Sequence, residues 1–115
     1  MSRIKIAEEF TDSPGARYKA DGGFSGQEFR EKLLKPRFDA LKPKEFLEID
    51  FDGCYGYPPS FLEEAFGGLV REIGDSKVVE NKLKFKADEE PAVITKVKKY
   101  IQDALSKKYI HNANS

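Results

Sequence analysis

The stretch from Phe46 to Gly74, FLEIDFDGCYGYPPSFLEEAFGGLVREIG, leaves a chain of this kind few ways to fold. Apolar residues alternate at Leu47, Ile49 and Phe51, so residues 46–52 read as a strand with Glu48 and Asp50 on its other face. That polar face leaves the strand incompletely covered. A turn rich in glycine and proline follows. Ser60, with Glu63 three positions on, then has the form of a capping box. Phe61, Leu62, Ala65, Phe66, Leu69, Val70 and Ile73 continue at helical spacing, with Glu63 and Glu64 in the first turn and Arg71 in the last, as the helix dipole favours. Gly74 is the expected stop. A strand feeding a helix through a short loop is the unit of α/β folds, whose sites collect where strand C-termini meet helix N-termini.

The rest of the chain fits the same class. Residues 3–6 alternate as a short strand, and residues 17–20 read as a second strand paired with it. Asp21-Gly22-Gly23 makes a turn, and Ser25 with Glu28 forms another capping box ahead of a helix that buries Phe29, Leu33 and Leu34. Pro36 should end that helix, with a further short helical piece over residues 37–41. Val78 and Val79 open an extended segment that runs into the alternating KLKFK. A last helix after Pro91 carries Val93, Ile94, Val97, Ile101, Ala104 and Leu105 on one stripe. The predicted order is β-β-α-β-α-β-α, a mixed, partly parallel sheet with helices packed on it. Residues 1–110 form one domain, and residues 111–115 form a disordered tail.

Charge and composition narrow the function. Twenty basic and twenty acidic side chains cancel, so no overall excess draws the chain to nucleic acid or to anionic lipid. Apolar runs are far too short to span a membrane, and MSRIKIAEEF has no secretory core. With Cys54 the only cysteine, no internal disulfide can form, and a reducing cytoplasm is the expected location. His111 is the only histidine, and no loop of metal-ligand spacing occurs, so no metal or cofactor is expected. Nothing supplies a nucleophile–base pair, so an enzyme is the least favoured class.

Three segments recur together in a known family: PGARYKADGGFSGQEFREKLLKP, FLEIDFDGC and SFLEEAFGGL, spread over residues 14–69. In this ordered set the chain resembles the STAS-like family of bacterial proteins, named for its similarity to the STAS domains of anti-sigma-factor antagonists. The resemblance implies a single STAS-like α/β domain. It also implies a regulatory protein-interaction role, with Ser60 at or beside a phosphorylatable serine and a histidine-kinase-like ATPase as the partner. Pro58-Pro59-Ser60-Phe61 stands where the antagonists carry aspartate, two small hydroxyl residues and glycine.

Each candidate residue has a plainer reading beside the functional one. Ser60 takes a phosphate at a helix start, or simply caps the helix. Asp52, Tyr55, Tyr57, Pro59, Ser60 and Phe61 form the partner-binding surface, or the two tyrosines close over the sheet edge. The rival function is a sensor for a small anionic ligand or nucleotide, using the glycine-rich 21–26 loop with Arg17, Ser25, Gly26 and Arg30. Its plainer reading is a glycine turn feeding a capped helix, with the arginines in salt bridges. Asp50 and Asp52 share a strand face but lack the rest of a catalytic constellation, so solvent exposure or helix capping accounts for them. Cys54 reads as a small buried filler. Lys82, Lys84 and Lys86 guide nucleic acid or an acidic partner, or more simply guard an edge strand.

Overall fold

Alternation in the LEID run does what it predicts, and Leu47–Asp50 is the central strand of a three-stranded sheet. In this computed structural model, which describes residues 2–106, β1 (Ser2–Lys5) and β3 (Leu83–Lys86) flank that strand, β2, and both run parallel to it. Ile4 pairs with Ile49 and Ile49 with Phe85, while Leu47 pairs with Leu83. These apolar rungs face the helices. The alternate rungs, Arg3–Glu48–Lys84 and Lys5–Asp50–Lys86, make the other face charged. The second strand expected over residues 17–20 does not form. Backbone there bonds locally instead: the Gly26 amide donates to Ala16 O at 2.9 Å, the Gln27 amide to Arg17 O at 3.0 Å, and a single 3-10 turn covers Lys19–Asp21. The sheet is therefore wholly parallel among the described residues rather than mixed.

Helix α1 (Ile6–Glu9) is one turn directly off β1. The next helical run covers residues 26–39: α2 (Gly26–Phe29), a π-helical turn (Arg30–Leu34) and α3 (Lys35–Asp39). Pro36 does not end it. The widened π turn ahead takes up a residue that has no amide to donate, so the helix passes through the proline. A third run covers residues 59–73 as α4 (Pro59–Leu62), a π turn (Glu63–Gly67) and α5 (Gly68–Ile73), and Gly74 closes it in the left-handed conformation. Val78 and Val79 are helical rather than extended. Asp75 Oδ1 accepts from the Lys77 amide at 2.9 Å and the Val78 amide at 3.3 Å, a cap that starts α6 (Ser76–Lys82). Finally α7 (Ala92–Asp103) lays Val93, Val97 and Ile101 on the core, leaving Leu105 beyond it exposed. The tail over residues 111–115 lies outside the described residues. No helix among them is long and apolar enough to cross a membrane.

The run over residues 59–73 is the axis of the molecule, buried without interruption from Phe61 to Val70. Phe66 on this helix reaches Phe29, Phe51 and Phe85 with ring centroids 5.8–6.2 Å apart, tying helix to helix and helix to sheet. Two close approaches explain why glycines sit on helices, where each costs about 1 kcal/mol against alanine. A Cβ on Gly26 would lie 2.4 Å from the Phe61 carbonyl oxygen, and one on Gly68 would lie 2.2 Å from Arg30 Nη1. The first lets the two helix starts touch. The second makes room for a buried guanidinium.

Candidate functional site

The strand C-termini carry the group of residues the sequence points to. Past Asp50 the chain turns through residues 51–58, and hydrogen bonds hold this loop at both sides. The Tyr57 hydroxyl donates to Phe51 O at 2.7 Å and lies 3.0 Å from Cys54 Sγ, and the Tyr55 amide donates to Asp12 O at 2.9 Å. Asp52 latches it to the loop after β3: Lys86 Nζ donates to Oδ2 at 2.7 Å and the Glu89 amide to Oδ1 at 3.0 Å, while the Gly53 amide donates to Glu89 Oε1 at 2.7 Å. The amide bond from Glu89 and the ammonium of Lys86 hold the Asp52 carboxyl below its ordinary range. Between the two loops lies a cavity of about 190 Å³ lined by Phe51, Asp52, Cys54, Tyr57, Ala87, Glu89, Glu90 and Val93. Burial pushes both the Tyr57 hydroxyl and the Cys54 thiol up, so both walls are neutral at physiological pH. The charge on the cavity rim is acidic.

The residues read as partner-facing separate into exposed and internal ones. Tyr55 is 89 % exposed. Pro59 is exposed and Ser60 half-buried. Tyr57 turns inward as a cavity wall, and Phe61, expected on the surface, is fully buried in the core against Phe29. Asp50 does not face solvent either. It is 1 % exposed, pairs with Arg3 and accepts the Asp52 amide at 2.9 Å.

Ser60 is not a cap. Pro58 takes the N-cap position and Pro59 the first helical one, where a missing amide costs nothing. This places Ser60 one step inside the helix, and among the described residues its hydroxyl has no hydrogen-bond partner. Glu63, expected to reach back to the Ser60 amide, accepts instead from Arg17 at 2.6 Å and from Arg71 at 2.7 Å. Ser25, by contrast, is a buried N-cap that accepts from the Glu28 amide at 3.0 Å.

The anion-binding group meets its counter-ions inside the protein. Arg17 lies on Glu63, with Glu64 at 3.8 Å. Arg30, 9 % exposed, donates through Nη1 to both the Glu64 side chain at 2.7 Å and the Glu64 carbonyl, and through Nε to Glu72 at 2.7 Å. Burial alone would raise Glu63, but the Arg71 and Arg17 guanidiniums outweigh it and hold the carboxyl below its ordinary value. The arginines thus cross-link the 12–24 segment and both helix runs through Glu63, Glu64 and Glu72. Reading the 59–73 helix as amphipathic missed this network, because Glu63 and Glu64 pass for solvent-facing first-turn acids. The legible signal was Gly67-Gly68 on the same face, since an exposed face has no use for two helix-weakening glycines. Among the described residues, no group of three or more His, Cys, Asp or Glu is placed to hold a metal ion.

A parallel sheet with helices packed on it and the candidate loops at its strand C-termini makes a small α/β domain, compatible with a STAS-like fold. The chain belongs to the family described as STAS-like domain of unknown function (DUF4325), which matches residues 25–92. Neither the curated proteins nor the solved structures contain a match to it.

Proposed function

We propose that this chain is a non-catalytic regulatory protein-interaction module whose partner docks at the C-terminal end of the sheet. The observation that carries this reading is Tyr55. An aromatic ring 89 % exposed stands on a loop whose backbone is already bonded on both sides, so its burial by a partner loses little conformational entropy. The neighbouring cavity has room for one long side chain, and its Tyr57 and Phe51 walls with the Asp52, Glu89 and Glu90 rim suit a lysine or arginine of the partner. Ser60 is the switch. Its hydroxyl has no capping duty, and a phosphate there would sit at the start of a helical run, where the dipole favours negative charge. Added beside the acidic rim, it would repel the same basic partner. The resemblance to the anti-sigma-factor antagonists suggests a histidine-kinase-like ATPase as that partner.

The test is a photo-crosslinking amino acid placed at position 55 in the native cells. A discrete heavier adduct, absent when the probe stands at Lys96 instead, is the expected result. No adduct at position 55 would end this reading. Intact-mass measurement of the wild type beside Ser60→Ala tests the switch separately: a phosphate-sized increment lost in the variant supports it, and no increment across growth conditions removes it.

A further inference from the structure

Positive and negative side chains cancel in number in this chain but not in place. Acids crowd the C-terminal end of the sheet, where Asp52, Asp88, Glu89 and Glu90 surround Lys86. The N-terminal end is basic. Lys42 and Lys44 lead toward β2, Lys82 ends α6 and Lys84 lies on β3. Because Leu47 and Leu83 are register partners, these two approaches to the sheet lie side by side. Among the described residues, none of the four ammonium groups belongs to an ion pair. Lys84 Nζ instead stands 4.6 Å from the centroid of the Phe46 ring, and Lys82 Nζ 5.7 Å from that of Phe38. The carboxylates nearby are engaged: Glu45 Oε1 accepts the Lys42 amide at 2.7 Å, and Glu48 pairs with Arg3 at 3.1 Å.

Two further features separate this patch from scattered surface lysines. Phe46, under the Lys84 ammonium, is 41 % exposed, a large apolar side chain that the core does not take up. Lys44 holds φ at +71°, a left-handed conformation that ordinarily goes to glycine or asparagine, and such outliers concentrate where a side chain must be presented in one direction.

We propose that the N-terminal end of the sheet is a second docking surface, for an acidic segment of a protein partner. Lys42, Lys44, Lys82 and Lys84 meet its carboxylates, and Phe46 takes an apolar side chain between them. Ammonium groups already held over rings lose less freedom on binding than free lysines do. A single-stranded nucleic acid would need a platform of several ring faces on which successive bases stack, and here Phe38 is buried and one face of Phe46 is already taken by Lys84. The strand separates this surface from the Tyr55 loop by roughly 15 Å, so it stands or falls independently of the function proposed above.

Fluorescence anisotropy of the full chain with a fluorescein-labelled glutamate-rich peptide containing leucines tests it. The wild type should bind, more weakly as salt rises. Lys42→Glu with Lys84→Glu should weaken binding by at least about tenfold, roughly 1.4 kcal/mol. Lys96→Glu with Lys98→Glu, equally exposed on α7, should leave it unchanged, as should Tyr55→Ala. Far-ultraviolet circular dichroism confirms that each variant folds. No binding at low salt, equal losses in the two lysine pairs, or tighter binding of an oligouridylate of the same charge would each overturn the proposal.

Discussion

Residues 25–28 and 60–63 spell the same box, a serine followed three positions on by a glutamate, yet only the first of them caps a helix. Ser25 follows Phe24, whose backbone is no competitor for the cap, and its oxygen takes the Glu28 amide. Ser60 follows Pro58-Pro59, and with Pro58 at the cap and Pro59 at the first helical position the helix starts two residues early. The glutamates diverge with their serines. Glu28 stays near the surface and pairs with Lys32 at 3.0 Å, while Glu63 is buried between Arg17 and Arg71. One box spends its serine on stability. The other leaves its hydroxyl free and draws its glutamate into the core.

The two starts also touch, at Gly26 against Phe61 and through Arg30 to Glu64, and that contact gives the sharpest tests of the comparison. Arg30→Met strands the Glu64 carboxylate without its buried partner and should cost about 3–5 kcal/mol in urea unfolding. Adding Glu64→Leu should return much of that loss, because a well-packed apolar pair replaces buried ions with little penalty. A double variant no better than the single one would mean that the network does more than balance charge. Gly26→Ala drives a methyl into the Phe61 carbonyl and should cost about 1–3 kcal/mol, as overpacking does. A neutral result would show that the helix starts can slide apart.

Ser25→Ala should cost about 1 kcal/mol, read as a lower thermal midpoint. Acid should open a milder difference. Glu63 titrates below its ordinary value of 4.5 in the folded state, so its pairing adds stability above that pH and loses it as the pH falls through the folded value. Removing one of its guanidiniums with Arg71→Gln should shrink that loss, seen as urea midpoints that fall less down an acid series than those of the wild type. Smallest of all, Ser60→Ala should stay within about 0.5 kcal/mol. A loss as large as that of Ser25→Ala would restore the capping role to Ser60 and weaken its claim as a switch.

Much of the fold was legible because local signals agreed with one another. The LEID strand, the Ser25 cap, the Gly74 stop and the α7 stripe each rest on residues within one or two turns of each other. Where local signals competed, the weaker one was read. Val78-Val79 looked extended, but Asp75 nucleates a helix through two amides. Pro36 looked like a terminator, but the π turn absorbs it. At the candidate site, Tyr55 on its surface loop was legible from composition and turn chemistry. The inward turn of Tyr57 and the latch from Asp52 to Lys86 and Glu89 were not, since β3 lies more than thirty residues away in the chain.

By itself, the sequence determined the class: an α/β domain of the STAS-like family, with its loop of interest between β2 and the 59–73 helix. Periodicity and caps are short-range, so they can be read along the chain. Tertiary structure alone decided which charges are spent. Arg17 and Arg30 have the same chemistry as any ligand-binding arginine, and only their placement against Glu63, Glu64 and Glu72 turns them into internal cross-links. Lys42, Lys44, Lys82 and Lys84 have the same chemistry as any surface lysine, and only the register of β2 with β3 brings them to one end of the sheet. A charge acts over the few ångströms to its partner, and that distance does not exist until the chain has folded.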